Sequence, residues 1–117
     1  MKERTMPVLG GGETIYEAVS RWDEIASRPH RFGGTEFRVG HREVGHVHGD
    51  SLVDIPFPLG VRDELVRSGS AEPHHVLPQS GWVSVYLRKP GDVRRAIQLL
   101  RRSYEIALVA QARKQSA

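Results

Sequence analysis

The chain has 117 residues, a length that predicts a single domain with a modest buried core. It contains no cysteine, which excludes disulfide bonds, thiol nucleophiles and thiolate metal ligands and fits a cytoplasmic location. The net charge of +3 at pH 7 permits an anionic partner without requiring one. No segment has the pattern of a signal peptide or of a membrane span, so we expect no membrane partner.

The first predicted helix follows a glycine-rich stretch, residues 1–12, which we expect to be a flexible arm. Thr14 and Glu17 have the spacing of a capping box, with the threonine hydroxyl at the N-cap. Pro29 ends the predicted helix. The apolar residues recur with the period of one helical stripe, at Ile15, Ala18, Val19, Trp22, Ile25 and Ala26.

Two hairpins are predicted next. Residues 35–48 alternate between apolar and polar on both sides of Gly40-His41, and a two-residue turn there places Arg38 opposite Glu43. The two residues have opposite charges, which favours this pairing.

The second hairpin turns at Gly49-Asp50 and pairs His46 with Val53. In this register His46 and His48 lie on the face of the sheet that forms the core, while Asp54 points to the other face. A turn longer by one residue would break this alignment, because side chains alternate between the two faces of a strand.

The remaining elements complete an α+β pattern. They are a short helix at 61–68, a loop at 70–81, a strand at 81–87, a long helix at 93–113 and a tail at 114–117. The predicted order is α-β-β-β-α-β-α, in one domain at residues 13–113. Helices packed on one face of a mainly antiparallel four-stranded sheet give a two-layer fold.

The candidate catalytic residues are three histidines and one aspartate, namely His46, His48, His75 and Asp50. His46 and His48 are two positions apart on one strand, so both rings project from the same face. One of them could act as a general base on an acidic hydroxyl or carbon acid. Alternatively, both could bind one divalent metal ion, or both could be hydrogen-bonded structural histidines. Asp50 would orient an imidazole, bind a metal ion or bind the backbone of its own turn.

The adjacent histidines at 74 and 75 cannot both point inward from an extended loop. We expect His75 to join His46 and His48, because it adjoins Val76 and Leu77. An exposed pair of histidines is the alternative.

Five residues are predicted to contact a substrate: Asp54, Arg62, His74, Trp82 and Tyr86. Asp54 interrupts an apolar strand, so its carboxylate must face solvent, a pocket or a partner such as Arg62. A structural ion pair is an equally good interpretation of that partnership. Trp82 would form the wall of a pocket or cover the end of the sheet, and Tyr86 shares its strand face.

The long helix carries arginines seven residues apart, at 94, 95, 101 and 102. Such a pattern is typical of a solvated polar face. The alternative interpretation is a surface that binds nucleic-acid phosphates, but no other feature of a nucleic-acid-binding motif accompanies it.

Six segments in a fixed order resemble a known family. They are GGTEFR (33–38), GHVHGD (45–50), DIPFP (54–58), VRDEL (61–65), HHVLP (74–78) and SGWVS (80–84). This pattern is similar to the luciferase-domain family of small, mostly bacterial proteins, whose domain is shared with fungal luciferase. The segments WVSV (82–85) and LLRRSY (99–104) are also similar to the MmcQ/YjbR-like proteins, some of which have been proposed to bind DNA.

The resemblance implies a function for the histidines. Fungal members of the family oxidise a hydroxypyranone luciferin with dioxygen and without a bound organic cofactor. We therefore expect a small-molecule-binding domain with a histidine-rich pocket, acting as a cofactor-independent oxidase or oxygenase, with a divalent metal as the alternative cofactor. A non-catalytic module that binds nucleic acid or a protein is the competing hypothesis. The sequence does not determine the oligomeric state.

Overall fold

The computed structural model describes residues 7–30 and 33–116. Helices and strands follow one another as α1 Gly11–Ser20, β1 Ile25–Pro29, β2 Thr35–Val39, β3 Arg42–His48, β4 Leu52–Pro56, α2 Leu59–Arg67, β5 Glu72–Pro73, β6 Trp82–Tyr86 and α3 Pro90–Ser116. The strands form one antiparallel sheet in the order β1-β2-β3-β4-β6-β5. The predicted α+β class is confirmed. The sheet has six strands rather than four, because β1 and β5 add one strand at each edge.

Strand β1 lies where the sequence predicted the end of the first helix. Helix α1 stops at Ser20, and the backbone turns at Glu24, which has a φ of 66°. Ile25 then pairs with Val39 of β2. An apolar residue late in a helical stripe is also a suitable first residue for a strand, and Pro29 is tolerated because β1 is an edge strand.

Helix α1 begins at Gly11, three residues before the predicted start at Thr14. A Cβ atom on Gly12 would lie 2.2 Å from the carbonyl oxygen of Gly49, so only glycine allows α1 to pass this close to the β3–β4 turn. Residues 1–6 of the predicted flexible arm lie outside the described residues. The domain boundaries at 13 and 113 stay a prediction.

Helices α1 and α3 pack together against one face of the sheet. A Cβ atom on Gly45 would lie 2.6 Å from Cδ2 of Leu100, which shows how closely α3 approaches β3. The Ser103 hydroxyl on α3 donates to the carbonyl oxygens of Val44 and Pro56, at 2.8 and 3.2 Å. The core on this face includes Ile15, Val19, Phe37, Val53, Ile55, Val83, Val85, Leu87 and Leu100.

The register of the second hairpin differs from the prediction. Arg38 pairs with Glu43, as expected in the first hairpin, but His46 pairs with Asp54 rather than with Val53. The turn contains Ser51 in addition to Gly49 and Asp50, and this extra residue shifts the pairing by one.

This shift places His46 and His48 on the face opposite the predicted one, whereas Asp54 points away from the core as predicted. Gly45 faces α3, so His46 and His48 point away from α1 and α3, and Asp54 points the same way. The histidines therefore lie outside the helix-covered core, on one face with the aspartate. Across the described chain, every helix is too short or too polar to cross a lipid bilayer.

Candidate functional site

A row of polar residues crosses four strands on the face turned away from α1 and α3. Glu36, His46, Asp54 and Ser84 are successive pairing partners on β2, β3, β4 and β6. Asp54 lies in the middle of the row and is only 1% exposed. A buried carboxylate is costly unless it has polar partners, so the surroundings of Asp54 determine what this face can do.

Four imidazoles surround the Asp54 carboxylate. The Nε2 atoms of His46, His48 and His74 lie 3.2, 3.3 and 3.5 Å from its Oδ2 atom. Nδ1 of His75 lies 3.8 Å from Oδ1. We call this group, together with Ser84, the Asp54 cluster.

The two oxygens of Asp54 are not equally satisfied. Oδ1 accepts a hydrogen bond of 2.7 Å from the Ser84 hydroxyl. Oδ2 has no aligned hydrogen bond from any described residue, although three ring nitrogens lie close to it. Oδ2 is therefore the atom of the cluster that lacks a hydrogen-bond partner. An unsatisfied buried acceptor of this kind costs about 1–3 kcal/mol.

A β-bulge brings Glu43 to the same face. The pairing shifts between Phe37 and Arg38, which leaves Val44 as an extra residue in β3. Glu43 and His46 would point to opposite faces of a regular strand, but Oε2 of Glu43 lies 2.6 Å from Nδ1 of His46. The carboxylate can only accept, so Nδ1 of His46 carries a proton and donates it.

His46 and Asp54 each stabilise the charged form of the other. Burial opposes ionisation of His46, but the carboxylates of Asp54 and Glu43 outweigh it and raise the pKa of His46 to about 9. Burial also opposes ionisation of Asp54, yet contacts with His46, Ser84 and His74 hold the pKa of this carboxyl below its usual range. An imidazolium and a carboxylate therefore face each other at neutral pH.

The neighbouring rings stay neutral. Burial lowers the pKa of His48, and repulsion from His46 lowers it further. Burial also lowers the pKa of His74, because the attraction of Asp54 does not compensate for it. Two neutral imidazoles thus lie beside the His46–Asp54 pair.

The tautomer of His74 follows from its backbone contacts. Its Nδ1 atom accepts hydrogen bonds from the amides of Val76 and Leu77, at 3.1 and 3.0 Å. A neutral imidazole that accepts at Nδ1 carries its proton on Nε2. The N–H group of His74 is therefore turned toward Asp54, although at 3.5 Å from Oδ2 it makes no aligned hydrogen bond.

A cavity of about 880 Å³ opens above the Asp54 cluster. Val76, Leu77 and Trp82 supply apolar lining. The Trp82 ring lies 5.2 Å from the ring of His46, centroid to centroid. The ring of His30 also stacks on the ring of His46, with 4.0 Å between the centroids. The cavity combines a polar floor with an apolar wall.

The chain matches a known protein family. The family model described as the luciferase domain matches residues 41–103, more than half of the chain. The chain belongs to the luciferase-domain family. None of the curated proteins and none of the solved structures that were compared matches it. The similarity to the MmcQ/YjbR-like proteins stays a prediction.

The matched segment of this luciferase-domain protein contains most of the site. Every member of the Asp54 cluster, and also Glu43 and Trp82, lies within residues 41–103. His30 lies before this segment, so the residue that follows β1 adds a ring to the site from outside the matched residues.

Three of the predicted site residues lie elsewhere. The Asp50 carboxylate accepts from the amides of Gly10 and Gly12, at 3.2 and 2.9 Å, and so caps the start of α1. The Arg62 guanidinium binds Asp63 and the carbonyl oxygen of Pro78 rather than Asp54. The ring of Tyr86, the third of these residues, packs against the guanidinium group of Arg88. None of the three lines the cavity.

His74, rather than His75, is the more buried of the two loop histidines. The sequence favoured His75 as the inward residue, but the side chain of His74 is 11% exposed and that of His75 is 40% exposed. Both approach Asp54, because β5 and the start of the loop turn both rings toward the sheet.

Glu36, Glu43 and His30 belong to the site but were not predicted from the sequence. Glu43 was assigned only to a strand pair with Arg38, and no role was assigned to Glu36 or His30. The bulge that aims Glu43 at His46 has no sequence signal of its own. Strand β1, which ends one residue before His30, was hidden by the helical stripe that precedes it.

The cluster also contains groups that could hold a metal ion. Three overlapping sets of described residues each bring ligand-type atoms within 4.8 Å of one another: His30, Glu43 and His46; His46, His48 and Asp54; and Asp54, His74 and His75. Imidazole and carboxylate ligands are the donors that many transition metals prefer. The arrangement can therefore bind a metal ion, move a proton or hold a polar ligand.

Proposed function

We propose that this luciferase-domain protein binds a small organic molecule in the cavity above the Asp54 cluster. The observation that carries the proposal is the presence of a polar floor and an apolar wall in one open cavity of about 880 Å³. Ligand sites have volumes of about 300–1,000 Å³ and combine apolar lining with a few polar groups.

The lining favours a planar, partly apolar ligand with an enolic or phenolic hydroxyl. The rings of His48, His74 and His75 offer donors and acceptors to such a hydroxyl. Val76 and Leu77 are exposed beside the cavity and would be covered by the apolar part of the ligand. The flat ring of Trp82 suits an unsaturated ring.

Membership of the family favours an oxygenase-like activity. An imidazole of the cluster would accept the hydroxyl proton of the ligand. The resulting anion has an electron-rich ring carbon that can add dioxygen, with both oxygen atoms retained as a peroxide. The histidines would hold the anion by hydrogen bonds while this bond forms.

A nucleic-acid role has less support. Three arginines of the α3 stripe have acidic partners: Arg95 is 2.7 Å from a carboxylate oxygen of Asp92, Arg101 is 3.5 Å from Glu105, and Arg102 is 3.8 Å from Glu64. These ion pairs reduce the positive field that a phosphate backbone would require. We place the domain in the cytoplasm, in keeping with its lack of cysteine.

Tryptophan fluorescence tests the proposal directly. The chain has two tryptophans, so a Trp22→Phe variant leaves Trp82 as the only tryptophan. Triacetic acid lactone, a hydroxypyranone, serves as the probe. We expect saturable quenching, with affinity reduced by about tenfold or more in Val76→Glu, because this change places a charge against the apolar part of the probe.

The control is His41→Ala, which removes an exposed histidine outside the cavity lining and should leave the affinity unchanged. Quenching that never saturates, or equal affinity in Val76→Glu and the control, would overturn the proposal. Oxygen consumption with the same probe tests the oxygenase activity separately.

A further inference from the structure

We infer that the floor of this cavity binds one divalent transition-metal ion through Nε2 of His46, Nε2 of His48 and Oδ2 of Asp54. The two histidines lie on β3, and Asp54 pairs with His46 across the adjacent strand β4. Regular backbone pairing therefore fixes the relative positions of all three side chains.

The spacing of the three atoms suits a metal ion. Oδ2 of Asp54 lies 3.2 Å from Nε2 of His46 and 3.3 Å from Nε2 of His48. Tetrahedral coordination with bonds of about 2.0–2.1 Å places neighbouring ligand atoms about 3.3–3.4 Å apart. Two of the three distances between ligand atoms match this geometry, and the ligand atoms of all three residues lie within 4.8 Å of one another.

The unsatisfied oxygen is a second, independent observation. Asp54 is almost fully buried, and its Oδ2 atom has no hydrogen-bond partner within the part of the chain that the structure describes. A buried carboxylate oxygen without an aligned donor is expected to coordinate something. A cation between Oδ2 and the two rings would supply this partner.

The surrounding contacts hold the ligands in the orientation that a metal requires. Glu43 accepts the Nδ1 proton of His46 at 2.6 Å, which leaves Nε2 to face Asp54. Ser84 occupies the other oxygen of Asp54 at 2.7 Å. Carboxylate–histidine pairs of this kind orient the ligands of many metal sites, so Glu43 is a positioning residue. The ion would replace the proton that otherwise lies between His46 and Asp54.

His74 remains outside the coordination sphere. Its Nδ1 atom accepts two backbone amides, so Nε2 carries a proton and has no lone pair for a metal. The protein thus supplies three ligands, and the other coordination positions are open to the cavity. Metal sites that act on a substrate keep such open positions.

The donor set indicates the class of ion. Two imidazoles and one carboxylate favour a first-row transition metal over magnesium or calcium, which prefer oxygen ligands. Two histidines and one carboxylate with open positions occur in catalytic zinc sites and in non-haem iron oxygenases. We therefore expect Zn²⁺ or Fe²⁺ in the cell.

The role of the ion rests on the proposed function. The deprotonated oxygen of the organic ligand would bind the ion at an open position, where the positive charge stabilises the anion. His75, which is more exposed and is not one of the three ligands, stays available to accept the hydroxyl proton.

Metal titration of the full chain tests the inference. Protein treated with a chelator is titrated with Co²⁺, followed by visible absorption, and with Zn²⁺, followed by calorimetry. We expect about one ion per chain and an affinity more than about 100-fold lower in His48→Ala and in His46→Ala. His41→Ala is the matched control, and circular dichroism establishes that each variant is folded.

The outcomes separate this inference from the proposed function. Absence of binding, or equal affinity in His48→Ala and His41→Ala, overturns the metal site. If the hydroxypyranone probe still binds to metal-free protein, the small-molecule proposal stands without the metal. If the ion binds but the probe never does, the metal site stands and the proposed function fails.

Discussion

Two buried aspartates show how differently one side chain is used in this fold. Asp92, near the start of α3, accepts from the amides of Arg88 and Lys89, at 2.9 and 3.0 Å, and from the guanidinium of Arg95 at 2.7 Å. Burial opposes ionisation of Asp92, but these donors outweigh it and hold the pKa of its carboxyl below the ordinary 3.8. Asp54 has a lowered pKa too, yet one of its oxygens lacks an aligned donor.

The difference lies in the kind of donor. Backbone amides and guanidinium groups keep their protons at any ordinary pH, so the carboxylate of Asp92 is fully satisfied by the protein itself. The imidazoles around Asp54 can gain or lose protons and can bind other atoms. Asp92 therefore stabilises the fold, whereas Asp54 is the carboxylate to which we assign the metal ion.

The largest expected effect is a difference in metal affinity between variants of the two aspartates. Asp54→Asn removes the negative charge from the three-ligand set and should lower the affinity for Zn²⁺ by more than about 100-fold. Asp92→Asn should leave this affinity unchanged, because Asp92 lies outside the cavity lining. Calorimetric titration measures both, and a similar loss in the two variants would contradict the distinction between them.

A smaller effect concerns stability. Asp92→Ala should lower the free energy of unfolding by about 1–2 kcal/mol, because it leaves the amides of Arg88 and Lys89 without their acceptor. Urea unfolding measures the change. Glu105→Ala is the control, since it removes an exposed ion pair with Arg101 on the same helix and should change stability by less than about 0.5 kcal/mol. Equal losses in the two variants would show that Asp92 is no more than a surface charge.

The smallest effect is a pH dependence. The pKa of Asp92 is lower in the folded state than the ordinary 3.8, so its stabilisation is complete above the unfolded value. This stabilisation is lost as the pH falls through the lowered pKa of the folded state. The difference in unfolding free energy between the natural chain and Asp92→Asn should be constant above about pH 5 and shrink in acid. A difference that grows as the pH falls would have the wrong sign for a carboxylate of lowered pKa.

Regular patterns in the sequence predicted most of the secondary structure. The strands at β2, β3, β4 and β6 alternate apolar and polar residues, and α1 and α3 carry apolar stripes. The edge strands β1 and β5 were missed because an edge strand needs little apolar surface and gives no clear alternation. The same pattern placed His46 and His48 on one face, and both rings do approach the same oxygen of Asp54.

The sequence was insufficient to place His46 and His48 on the same face as Asp54. Gly49-Asp50 and Gly49-Asp50-Ser51 are both acceptable turns, and one residue more or less decides whether the two histidines share a face with Asp54 or lie opposite it. Only the packing of Val53 and Ile55 under the helices selects the longer turn. The bulge at Val44, which turns Glu43 toward His46, depends in the same way on contacts with α3.

The sequence by itself determined that this is an α+β protein of the luciferase-domain family with two histidines side by side on a strand. Local periodicity and ordered motifs carry that information, because they depend on residues close together in the chain. The tertiary structure alone decided which carboxylates meet those histidines. Strand register and side-chain burial arise from contacts between distant segments, and these contacts placed Asp54, Glu43 and His74 around His46 and His48.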